Sequence, residues 1–153
     1  MRKLLLIIMS LGMFISGSIV YAQTAEEEDL EHGIMVAKNT RNGKEIILNL
    51  KVEKDFADAL HFMTHQKVEA FMKWGTLELT EERVDAMLEI LEDTNFVHQF
   101  FYKRTLEQWK EGNFKNVVMV HNRIWEMAEG DIGKATAYLD EQEEESYIKE
   151  HYR

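Results

Sequence analysis

From Glu53 onward the apolar residues recur at the 3.6-residue spacing of a helix, and the chain contains no proline to interrupt them. This period constrains the fold more than any other property of the 153-residue chain. Phe56, Leu60, Met63, Phe71 and Trp74 mark one stripe, which predicts a first helix of about 22 residues, roughly 33 Å long. Gly75 stands where that helix would stop. Thr80 is a good N-cap, followed by Glu81 and Glu82 where the dipole favours acids, and Val84, Met87, Leu88 and Leu91 form a second stripe. A third helix is expected from Val97 to Glu111, with Gly112 as its stop. A fourth carries Val117, Val118, His121, Ile124 and Trp125 and closes at Gly130. After a link over Asp131–Leu139, Asp140 caps a final acidic helix with Tyr147, Ile148 and Tyr152 as its docking stripe.

The segment Gly33–Val52 has a different character. Two apolar runs, Ile34-Met35-Val36 and Ile46-Ile47-Leu48, flank an Asn42-Gly43 pair, the composition of a hairpin or of extended segments lying on the helices. The expected fold is therefore all-α: a compact bundle of four to five helices, with a short extended or hairpin segment before the first long helix.

The N-terminus has the three parts of a secretory signal. Arg2 and Lys3 precede an apolar run from Leu4 to Val20, and Val20-Tyr21-Ala22 places small residues at a cleavage site. Residues 4–22 approach the roughly 20 needed to span a bilayer, so retention as an uncleaved anchor competes with cleavage after Ala22. The expected organisation is a signal over 1–22, an acidic disordered leader over 23–32 and a single helical domain over 33–153. The protein is then exported, and either secreted or associated with the cell envelope.

Without residues 1–22 the chain keeps 131 residues, with 16 Lys and Arg against 28 Asp and Glu. That charge repels phosphate backbones, so nucleic acid is excluded as a partner, and a membrane is reached only through residues 4–22 if they stay attached. The absence of cysteine removes disulfides, thiol nucleophiles and thiolate-held metals. Ser146, the one serine after the signal, lies in a run of glutamates, the wrong setting for a hydrolytic triad. No glycine-rich phosphate loop is present.

The chemistry that remains centres on histidine. His61 and His65 are one helical turn apart and project from one side, a spacing that suits a shared divalent ion. A zinc protease would need Glu after the first His, and Phe62 stands there. A zinc or copper site using His61, His65 and His121, or with His98 or Glu69 as further ligands, stands beside the blander reading of packed core histidines. If His121 faces the pair, Asn122 edges a polar pocket able to titrate near neutral pH. Trp74, Trp109 and Trp125 fill the core or line an aromatic groove for a peptide or glycan.

The run His61-Phe62-Met63-Thr64-His65-Gln66-Lys67-Val68 with Lys73-Trp74-Gly75, then Thr80 with Arg83, Trp109 with Gly112 and Phe114, His121-Asn122 with Trp125, and Gly130 with Gly133-Lys134-Ala135 resembles a family of small exported or membrane-anchored proteins of bacilli. The resemblance covers about residues 58–150 and implies an exported helical domain with no assigned activity. The chain departs from it before the first helix, where an Asn-Pro is expected and none occurs.

The leading expectation is a non-catalytic binding or interaction module for a protein, peptide or envelope ligand, without cofactor. Its candidate contact residues are His61, His65, Lys67, Trp74, His121, Asn122 and Trp125. Second stands a metal-binding protein using His61, His65 and His121 with zinc or copper. A small hydrolase with a His/Glu acid–base pair is third.

Overall fold

The computed structural model describes residue 30 and residues 32–153; the expected signal over 1–22 and all but two residues of the expected leader over 23–32, Leu30 and His32, lie outside the described residues. Five strands and five helices follow one another as β1 (Ile34–Asn39), β2 (Glu45–Asn49), α1 (Glu53–Thr64), β3 (Val68–Ala70), β4 (Gly75–Thr76), α2 (Glu81–Glu92), α3 (Gln99–Lys110), α4 (Val117–Met127), β5 (Ala135–Tyr138) and α5 (Glu141–Tyr152). The all-α expectation is thereby corrected. The domain mixes helices with two antiparallel sheets, one of order β2-β1-β4 and one pairing β3 with β5.

The hairpin legible around Asn42-Gly43 is present. β1 and β2 pair with Met35 opposite Leu48 and Ala37 opposite Ile46. Met35, Ala37 and Leu48 turn inward, whereas Val36 and Ile47, opposite each other, face out, the alternation expected of a sheet covered on one side. The covering layer is α1, whose Phe56, Leu60 and Met63 are fully buried. Phe56 meets the rings of Phe96 and Tyr102 at 5.3 and 5.2 Å, which joins α1 to the start of α3. Thr80 and Asp140 both cap as expected, the latter in a full capping box with Glu143.

The first helix is where local pattern and tertiary structure part. It ends at Thr64, about ten residues before the expected stop. Lys67 N–H donates to Thr64 O in a turn, and Lys73 Nζ donates to His65 O at 2.8 Å, satisfying a carbonyl that the lost turns would have used. Val68–Ala70 then runs antiparallel to Ala135–Tyr138 through a bulge at Glu69/Ala70, and the expected link over Asp131–Leu139 is in part the strand β5. Val-Glu-Ala has no strong strand preference, and two of the three are good helix formers. The pairing is decided by a segment some 67 residues away, which no local window contains. Phe71, predicted in the core stripe, is instead 88% exposed.

Gln66 and Lys67, in the turn after α1, hold the C-terminal helix. Glu144 of α5 accepts from Gln66 Nε2 at 3.0 Å and from Lys67 Nζ at 2.7 Å, and the Lys67 ammonium also lies 4.1 Å from the Phe114 ring centre. Replacing Glu144 with Ala leaves both donors without their shared acceptor. We expect a loss of about 1.5–3 kcal/mol, the range for hydrogen bonds to charged groups, and faster amide exchange along α5. Unchanged exchange there would show that the helix is held by its tyrosines alone. No helix among the described residues is long and apolar enough to cross a membrane.

Candidate metal centre

The site is built on the packing of α1 against α4. His61 lies in the last turn of α1 and His65 at its C-cap, and the middle of α4 brings His121 against them. Ring centres are 4.9 Å apart for His61–His65, 4.3 Å for His61–His121 and 5.3 Å for His65–His121. One ring nitrogen from each residue lies within 4.8 Å of the other two, and His61 Nε2 is 3.4 Å from His121 Nε2. His65 and His121 are 2% and 0% exposed, while His61 is only partly covered.

Two of the rings, His65 and His121, are oriented by a partner on their far side. His65 Nδ1 sits 2.5 Å from Gly75 O. A carbonyl can only accept, so Nδ1 carries the proton and Nε2 keeps its lone pair. That Nε2 is buried without a hydrogen-bond partner, a state proteins seldom leave uncompensated. His121 Nδ1 lies 2.9 Å from Thr64 Oγ1, whose hydroxyl is also 2.5 Å from His61 O. With the proton on Nδ1, the order His121 Nδ1–H to Thr64, then Thr64 O–H to His61 O, satisfies those groups and leaves the Nε2 lone pair facing Gly133 O, an arrangement that a cation at Nε2 would relieve. With the proton on Nε2, that nitrogen donates to Gly133 O at 3.0 Å.

Two glycines let the carbonyls reach the rings. A Cβ on Gly75 would stand 2.4 Å from the Phe62 ring, and one on Gly133, whose φ is +98°, would stand 2.6 Å from Met72 O.

Burial, reinforced by its neighbour His121, pushes His61 down to about 3. Burial first, and then His61 and His121, holds His65 well below the usual imidazole range, and burial lowers His121 as well. All three rings are neutral at neutral pH, the form that offers a lone pair to an ion.

A cavity of about 340 Å³ opens above the cluster, lined by His61 and His65 together with Phe62, Met72, Trp74 and Trp125. Thr40 pins the backbone at its edge by accepting nothing and donating twice, its N–H to Trp74 O and its hydroxyl to Lys73 O. The Arg41 guanidinium covers the Trp74 ring at 4.2 Å.

Of the residues picked out in the sequence, His61, His65, Trp74 and Trp125 thus share one cavity, and His121 joins through its ring. Lys67 and Asn122 do not. Lys67 serves the α5 contact, and Asn122 bonds both backbone groups of Ala135, at 3.0 and 2.8 Å, tying α4 to β5. His98 is held by Glu53 at 3.0 Å, and Trp109 is a core residue whose indole donates to Asn116. Thr64, Met72, Arg41 and the carbonyls of Gly75 and Gly133 were not singled out as site groups. Of these, only Thr64 lay within reach of a sequence argument, three and one positions from the two histidines on the same helix.

A family model described as a family of unknown function (DUF6241) matches residues 60–149, which include all three histidines. No curated protein matches the chain, and no solved structure does.

Proposed function

The chain belongs to this family of unknown function, DUF6241, and from that premise we propose that it is an exported, non-catalytic module that binds a zinc or copper ion through His61, His65 and His121. The observation that carries the reading is the buried, unpartnered Nε2 of His65 beside two further imidazoles. An ion would give that lone pair its partner. With metal–nitrogen distances of about 2.0–2.1 Å, two ligands of a tetrahedral site lie about 3.3–3.4 Å apart. The 3.4 Å between His61 and His121 already has that value, and a nitrogen of His65 lies within 4.8 Å of both.

The far-side partners support the same reading. Histidine ligands ordinarily donate their other N–H to a carbonyl or carboxylate that fixes the ring, and Gly75 O and Thr64 Oγ1 stand in those places. Imidazole donors without thiolate suit zinc and copper better than calcium or magnesium. Non-catalytic binding is favoured over acid–base hydrolysis because none of the hydrogen bonds of the three rings goes to a carboxylate. Export rests on the N-terminal pattern at Arg2–Ala22.

Protein recovered from medium or envelope should begin at Gln23 and carry close to one zinc or copper ion per chain. In thermal unfolding, free ion at about a hundredfold over its dissociation constant adds about 2.7 kcal/mol. His61→Ala and His121→Ala should each remove most of that shift. A shift that persists in both variants, or none in the parent, would sink the proposal.

A further inference from the structure

Resting on the metal reading, we propose that the ion's fourth position is filled from the cavity by a small organic anion with a flat apolar body, an aromatic carboxylate. Three protein nitrogens leave a tetrahedral ion one ligand short, as in sites that keep a position for an exogenous group. The cavity of about 340 Å³ includes His61 and His65 in its lining, so the open position faces a space large enough for one small molecule.

Charge selects the sign of that molecule. An imidazole gives its lone pair to a metal only in its neutral form, so three of them leave a divalent ion with its full two positive charges, in surroundings made chiefly of aromatic and aliphatic side chains. In such low-dielectric surroundings an uncompensated dication attracts an anion far more strongly than it would in water. The Arg41 guanidinium lies over Trp74 at the same cavity and offsets Asp131, the one carboxylate in its lining, so the ion itself sets the sign.

The walls select the shape. Trp74, Trp125, Phe62 and Met72 present apolar surface, which contributes only if the anion has an apolar part to cover it. A carboxylate oxygen on the ion and a ring between the two indoles satisfy both demands, and a compact ion such as acetate satisfies the first alone.

Cobalt(II) serves as the visible probe, because its ligand-field absorption reports both the number and the change of ligands. The full mature chain is titrated with Co²⁺ and then with benzoate or acetate. We expect tetrahedral cobalt bands that shift with both anions, with benzoate binding at least about tenfold more tightly. Trp74→Ala should narrow that preference toward equality. Bands that appear but do not move with benzoate overturn the anion site while leaving the metal reading intact. Equal affinities for the two anions overturn the selection by the walls. Absence of any cobalt band, in the parent as in His61→Ala, removes the metal reading and this inference with it.

Discussion

Acidification of the metal-free protein from neutrality to about pH 5 should remove about 4 kcal/mol of stability through His61 and His65 alone, a large share of the about 5–15 kcal/mol of an ordinary domain. The cause is three buried imidazoles whose proton affinity is depressed in the fold. Each has a normal value near 6.5 when exposed, and in the folded chain His61 falls to about 3 with His65 and His121 also lowered. Between those limits the unfolded chain binds protons that the folded chain cannot. Stability is therefore fully present above about pH 6.5 and declines as pH falls toward the folded values. The slope is about 1.4 kcal/mol per pH unit for each proton bound only by the unfolded state. His61 and His65 give about 3 kcal/mol per unit at the steepest, and His121 adds in the same direction.

Urea midpoints measured every half unit of pH would show this directly. His65→Leu should flatten the curve by about one proton's slope, and His121→Leu should flatten it in the same direction. A bound ion should hold the midpoint up to lower pH, because it competes with protons for the same lone pairs. A midpoint that stays level from neutrality to pH 5 in the metal-free parent would mean that the rings are already protonated or solvated in the fold.

Gly133→Ala should cost about 2–3 kcal/mol and weaken zinc binding, although Gly133 carries no side chain. Two separate penalties meet there. The φ of +98° is one that side-chain-bearing residues rarely adopt, and the new Cβ would lie 2.6 Å from Met72 O, a backbone atom that cannot swing aside. Relief requires the loop before β5 to move away from the turn after β3. That loop also forms the wall of the cavity beside His61 and His65 through Gly130, Ile132 and Gly133, so the lost stability and the weakened site share one cause.

Gly112→Ala is the matched control. Its φ of +71° is equally unfavourable to alanine, but a Cβ there meets nothing within 4 Å. That variant should lose only the backbone share, about 1 kcal/mol, and bind zinc as the parent does. If the two variants lost the same amount, the close approach of Gly133 to Met72 would carry no weight in the site.

Much of the frame was legible in the linear chain. Helices α2 to α5 follow from apolar residues at helical spacing and from caps such as Thr80 and Asp140, because both signals act within a few residues. The β1–β2 hairpin follows from two apolar runs about Asn42-Gly43 for the same reason. The pairing of Val68–Ala70 with Ala135–Tyr138 was not legible, since its hydrogen bonds join segments that no local preference connects. Phe71 and Trp74 kept helical spacing with Phe56 while one lies in solvent and the other lines a cavity, so period alone extended α1 too far.

The candidate site divides along the same line. One turn of helix places His61 beside His65, and that proximity is a property of the sequence. The approach of His121, the lone pair left bare on His65 Nε2, the Gly75 carbonyl behind the His65 ring and the Gly133 carbonyl at His121 Nε2 exist only once α4 and the two glycine-bearing loops pack onto α1. Short-range geometry is written in residue spacing, but convergence of distant groups depends on burial and on backbone approach. Those are decided by the whole fold.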